Sequence, residues 1–216
     1  MKKLFSFVTL FALVLVLAAC GNGSESEEGA AEGEPAEISV ASSPAPHAEI
    51  LEKAAEILAE EDITLNVEIV NDYTTPNRLL ADEEVDANFF QHTPYLDGEI
   101  ESHGYDLISI GNVHIDPMAV YSNDYDSLED IPDGSTILVS NNPAEEGRFL
   151  SFFVNAGLVE IEEGIDIQDA TFDDITENPH NFEFDNNTAP ELLVSMYENN
   201  EAPAVIINAN FAIDSG

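Results

Sequence analysis

From Ile38 onward the chain alternates short β-prone apolar segments with amphipathic helical ones, and this alternation constrains the fold more than any other feature. A strand, a helix and a second strand make a parallel pair with a right-handed crossover, so a repeated series builds helices packed on parallel sheet. Residues 38–42 read as a strand, and residues 47–61 have helical spacing, with Ile50, Leu51, Ala54, Ile57 and Leu58 on one face. Residues 63–70 alternate apolar and polar, as a half-buried strand does. A helix follows Asp72, with Pro76 in its first turn and Leu79 and Leu80 facing inward. A strand at 85–90 and a helix at 93–101 come next, then strands at 107–115 and 118–122.

The series then restarts. Residues 136–140 read as a strand, and Asn142 opens a helix that runs through Pro143 to Asn155 and stops at Gly157. Residues 182–184 and 204–207 are expected strands flanking a helix at 189–197. Two successive sets predict an α/β molecule of two lobes, at 37–115 and 124–208. A crossover at 116–123 joins them, and 209–216 begins a return to the first lobe. Ligands in such folds bind beyond the carboxyl ends of the strands, and a cleft between lobes can close on them.

The N-terminus has a different character. Lys2 and Lys3 precede an uncharged, mostly apolar run ending in Leu17-Ala18-Ala19-Cys20. That is the layout of a secretory signal peptide at 1–19, too short for an ordinary membrane span. The single cysteine of the chain lies directly after Leu-Ala-Ala, which resembles the lipobox of bacterial lipoproteins. The resemblance implies cleavage before Cys20, acylation of Cys20 (palmitate among the chains) and anchoring at the extracytoplasmic face of the cell membrane, since several acyl chains hold firmly where one does not. With no second cysteine, an internal disulfide is impossible. From Cys20 to residue 36 the chain is rich in Glu, Gly and Ser, and it reads as a flexible acidic tether.

Charge narrows the partners. The chain holds 44 acidic residues against five Lys and Arg, and two of those five are Lys2 and Lys3. Nucleic acid is excluded, because nothing remains to neutralise phosphates. Such self-repulsion is relieved by screening, so the acidity is read as adaptation to high salt, as in a halophile with an acidic proteome, rather than as function. The three other cations, Lys53, Arg78 and Arg148, are informative because positive charge is so scarce.

Four segments fall at the expected strand ends, at 72–77, 88–95, 141–148 and 205–210. Tyr73, Phe90 and Tyr95 offer aromatic surface of the kind that wraps a thioether. Arg148 offers a planar fork for a carboxylate, and Asn208 both a donor and an acceptor. Competing structural roles are ordinary: one of Phe89 and Phe90 faces the core, Asn142 caps a helix, and Arg148 pairs with one of many carboxylates. Chemistry alone reads a small anionic or zwitterionic ligand.

The blocks Pro46 to Leu51 (PHAEIL), Asp86 to Leu96 (DANFFQHTPYL), Val113 to Met118 (VHIDPM) and Asn142 to Arg148 (NPAEEGR) resemble the NlpA-type lipoproteins, the methionine-binding components of ABC importers. The resemblance runs from Ile38 to Gly216. It implies a two-lobed periplasmic-binding-protein fold of type II-like architecture, capture of methionine (the L form, with the D form as an alternative), and delivery to an ABC permease and its ATPase. It implies that Tyr73, Phe90, His92 and Tyr95 line the side-chain pocket, that Arg148 holds the carboxylate and that Asn208 contacts the polar atoms. It also implies several dozen further residues after the position of Gly216, so the chain is expected to be truncated at its C-terminus.

Other functions remain as alternatives. Another amino acid or a small peptide fits the same pocket chemistry. A zinc-binding lipoprotein needs convergence of His47, His92, His103, His114 and His180, yet no H-x-x-x-H spacing occurs. No metal or cofactor is expected. Nor is an enzyme: there is no G-x-S-x-G and no cysteine besides Cys20, and His92 with Asp97 or Glu99 lacks a nucleophile.

Overall fold

The computed structural model describes residues 36–216; the expected signal peptide, Cys20 and nearly all of the tether lie outside them. The first sheet is wholly parallel. Strand β1 (Ala36–Ser42) is central, with β2 (Ile63–Ile69) on one side and β3 (Ala87–Phe89) on the other. Each crossover carries a helix, α1 (His47–Ala59) between β1 and β2 and α2 (Thr75–Ala81) between β2 and β3. Ala36, assigned to the tether by its composition, already pairs with Ile63 in this ladder. Helix α3 (Thr93–His103) follows β3 and ends at Gly104, whose φ of 71° is the left-handed turn that stops a helix.

The second sheet has the order β4-β9-β5-β8, formed by β4 (Met118–Tyr121), β5 (Thr136–Ser140), β8 (Glu183–Thr188) and β9 (Ala204–Asn208). Strand β4 runs antiparallel to β9, and the other pairs are parallel. The central strands β5 and β9 are buried on both faces, which is why their sequences are unbroken apolar runs. On one face Ile137, Val139 and Ile206 pack against Phe149, Leu150 and Phe153 of α4 (Glu146–Asn155). On the other, Leu138, Val205 and Ile207 meet Leu193 of α5 (Leu193–Glu198), with Phe211 and Ala212 of α6 (Ala209–Ser215) beside them. A short antiparallel ribbon of β6 (Glu160–Ile161) and β7 (Ile175–Glu177), absent from the sequence reading, stands beyond α4.

One expected strand does not form. Residues 107–115 have no ladder partner, and Ile108, Ile110, Val113 and Ile115 are 80%, 88%, 62% and 89% exposed. Their alternation is genuine, but a strand also needs a neighbour to take its N–H and C=O groups. The helix expected at 142–155 divides into a 3-10 turn (Pro143–Glu145) followed by α4, and residues 209–215, expected only as the start of a return, are helical.

Candidate binding site

The loops leaving the carboxyl ends of β1, β2, β3, β5 and β9 converge on a cavity of about 940 Å³, and all six expected contact residues, Tyr73, Phe90, His92, Tyr95, Arg148 and Asn208, line it. Its aromatic side is set locally. Asp72 accepts hydrogen bonds from the Thr74 and Thr75 amides at 2.9 and 2.7 Å, which turns the chain after β2 and fixes Tyr73. A buried amide cluster fixes the other loop: Asn77 exchanges hydrogen bonds with Gln91 at 2.9 and 2.7 Å and accepts from Asn88 at 2.9 Å. Phe90, 7% exposed, lies 6.0 Å from Tyr73 and 5.9 Å from Tyr95, ring centre to ring centre. Phe89 instead packs on His47 and His114, and both phenylalanines line the cavity.

His92 is the N-cap of α3. Its Nδ1 accepts from the Tyr95 amide at 3.3 Å, which leaves the proton on Nε2. That nitrogen is buried without a hydrogen-bond partner and lies 3.7 Å from Oε1 of Glu145. The Tyr95 hydroxyl donates to the Tyr73 carbonyl at 3.0 Å, and the Tyr73 hydroxyl donates to Asn210 Oδ1 at 2.7 Å. Burial, followed by the Glu145 and Asp116 carboxylates, pushes the Tyr73 phenol well above its ordinary range, so it is a fixed donor.

The polar side centres on Glu145, which sequence reading passed over. Its side chain is 1% exposed, and it accepts from Arg148 Nη1 at 3.0 Å, Asn208 Nδ2 at 2.6 Å and Ser140 Oγ at 3.0 Å. Burial raises its pKa, but His92, the Asn208 hydrogen bond and the Arg148 charge outweigh that, and the carboxyl stays below its ordinary value. Arg148 also donates from Nη2 to the main-chain carbonyl of Asp116 at 2.9 Å. The i,i+3 spacing of Glu145 and Arg148 was the only available signal, and Glu146 beside it blurred that signal. Glu146 turns away, accepting from the Phe172 amide at 2.9 Å. Four side-chain atoms of this region are buried without partners: His92 Nε2, Asp116 Oδ1, Asn208 Oδ1 and Asn210 Nδ2.

The histidines do not gather. His47 and His114 touch at 4.6 Å, His103 stacks on Tyr105, and His180 bonds Asp133 at 2.8 Å. Among the described residues no group of three or more His, Cys, Asp or Glu is arranged to hold a metal ion. Nor is any helix among them long and apolar enough to cross a membrane.

A pocket with an aromatic wall and buried polar groups, set at the strand ends of two α/β sheets, has the architecture of a solute-binding protein. The comparisons agree on this class. The sequence pattern described as NlpA lipoprotein matches residues 38–216. The methionine-binding lipoprotein MetQ of Bacillus subtilis is 47% identical over 216 residues, spanning 100% of this chain and 77% of that protein. The crystal structure of a putative methionine-binding lipoprotein from B. subtilis superposes with a TM-score of 0.80 at 48% identity, covering 83% of this chain and 72% of that one. A nutrient-binding protein of Burkholderia cenocepacia, solved bound to methionine, gives 0.75 at 32% identity, over 82% and 73% of the two chains. The chain belongs to the NlpA lipoprotein family and has the α/β fold of its periplasmic binding lipoproteins.

Proposed function

We propose that this lipoprotein captures methionine in the cavity and delivers it to an ABC importer composed of a permease and its ATPase. The observation that carries the reading is the pairing, in one cavity, of a Tyr73–Phe90–Tyr95 wall with the Arg148 guanidinium and several buried polar atoms that lack partners. The wall suits a thioether and the guanidinium suits a carboxylate. In this reading residues 37–115 and 124–208 are the two lobes, 116–123 is the crossover and 209–216 starts the return. His92 and Asn208 face the ligand's polar atoms. Cys20, freed by removal of 1–19, carries the lipid that holds the protein at the outer face of the membrane, and the tether keeps it near the permease at high effective concentration.

L-methionine at saturation should raise the melting temperature of the mature protein, because a ligand of the native state stabilises by mass action. Arg148→Ala should remove most of that increment, through loss of a charged hydrogen bond of about 1.5–3 kcal/mol. Its unliganded melting temperature should also fall, since Glu145 stays buried with one donor fewer, so the increment is the quantity to read. No increment in the wild type, or a full one in the variant, refutes the reading. The volume of about 940 Å³ favours a second reading, a short methionine-containing peptide, and competition between free methionine and such a dipeptide in calorimetry separates the two.

A further inference from the structure

The charge balance of the cavity does not match a carboxylate ligand alone. Four side-chain carboxylates, Asp86, Asp106, Asp116 and Glu145, line it against one guanidinium, that of Arg148, which bonds the Glu145 side chain and the Asp116 main chain. Glu145 Oε1 is taken up by Arg148 and Asn208, but Oε2 receives only the Ser140 hydroxyl, and an ionised carboxylate oxygen accepts two bonds. Beside it are two further acceptors with no donor at all, Oδ1 of Asp116 and Oδ1 of Asn208, the latter on a residue 4% exposed that lines the same cavity. Strand pairing holds them together. Asn208 sits opposite Met118 in the β4–β9 ladder, and the Ala209 amide donates to the Pro117 carbonyl at 2.8 Å, which brings Asp116 to the end of β9. Buried acceptors short of donors are costly, and here two have none and a third, Glu145 Oε2, has one, on groups that carry net negative charge. The complementary group is a compact cation with several donors, which an ammonium supplies.

We propose that Glu145, with Asp116 and Asn208 beside it, is the receptor for the ligand's α-ammonium, so that the site selects free amino acids over the corresponding acids that lack the amino group. The proposal rests on the amino-acid reading of the cavity and names the residue that enforces it. It also gives Arg148 a second seat: Glu145 and the Asp116 carbonyl hold the guanidinium in place while its remaining edge is presented to the carboxylate.

Calorimetric titration of the mature protein with L-methionine and with its deaminated acid, methylsulfanylbutanoate, tests this. The wild type should prefer methionine by about a hundredfold, the worth of a buried charged hydrogen-bond set. Glu145→Gln, which keeps shape and most hydrogen bonds, should weaken methionine by about thirtyfold and the deaminated acid by less than about threefold. Equal losses on both ligands would make Glu145 a packing residue and overturn the proposal, as would an unchanged ratio. If Glu145→Gln fails to fold, the wild-type pair decides alone: discrimination below about threefold overturns the proposal even where methionine binds. A wild type that binds neither compound refutes the ligand class, and the proposal falls with it.

Discussion

Gly147 begins the first turn of α4 where the chain passes residues 167 and 168. A Cβ at this position would stand 2.1 Å from the Ile167 carbonyl oxygen and 3.0 Å from the Gln168 backbone. Gly147→Ala therefore has to push main chain aside, and it should destabilise by about 1–3 kcal/mol in urea unfolding. A loss of methionine response should accompany it, because Glu145 and Arg148 flank the displaced residue. His47 supports a different prediction. It is 2% exposed, and burial followed by the neighbouring His114 lowers its pKa from 6.5 to about 4. The unfolded chain thus binds more protons between those values, so the contribution of His47 is intact above pH 6.5 and is lost as pH falls towards 4. At about 1.4 kcal/mol per pH unit this amounts to about 3.5 kcal/mol at most. Urea titrations at pH 7 and pH 4.5 should show the wild type losing more stability than His47→Gln, and equal losses would contradict it. Residues of this kind were hidden in the sequence. Arg148 could be singled out because cations are rare, whereas Glu145 was one of 44 acidic residues and only its burial distinguishes it.

Elements were far more legible than residues. The strands at 136–140 and 204–207 were evident because burial on both faces leaves continuous apolar runs, α1 because its apolar residues recur at helical spacing, and α3 because Thr93-Pro94 marks its start. The failures share a physical cause, dependence on a partner distant in sequence. Residues 107–115 carry a strand's alternation but meet no neighbouring ladder, and β6 and β7 are too short for periodicity to register. The loop at 88–92 is another long-range product, since its shape depends on Asn77, reached through side-chain amides rather than through strand pairing. The motif resemblance identified its residues, but only the structure explains why Asn88 and Gln91 accompany His92: they brace the turn that presents it.

At the scale of the whole molecule the governing fact is a formal net charge of −39. Lys53 and Arg78 lie on the exposed surface and pair within their own helices, with Glu56 and with Asp82, so they neutralise little. Screening shortens the reach of the remaining repulsion from about 10 Å at 0.1 M salt to about 3 Å at 1 M. The melting temperature should accordingly climb between those salt concentrations, and sodium chloride and potassium chloride should act alike; a flat response would mean that the surface charges are already too far apart to matter. The one part-buried guanidinium, Arg148, has a further consequence set by that surface. Every ligand must diffuse in through a strongly negative field before it meets Arg148. A zwitterion carries no net charge and crosses that field with little opposition, whereas an acid without an amino group is slowed on its way to the pocket. The surface acts as a coarse sieve ahead of the cleft, and dissolved salt sets the width of its mesh.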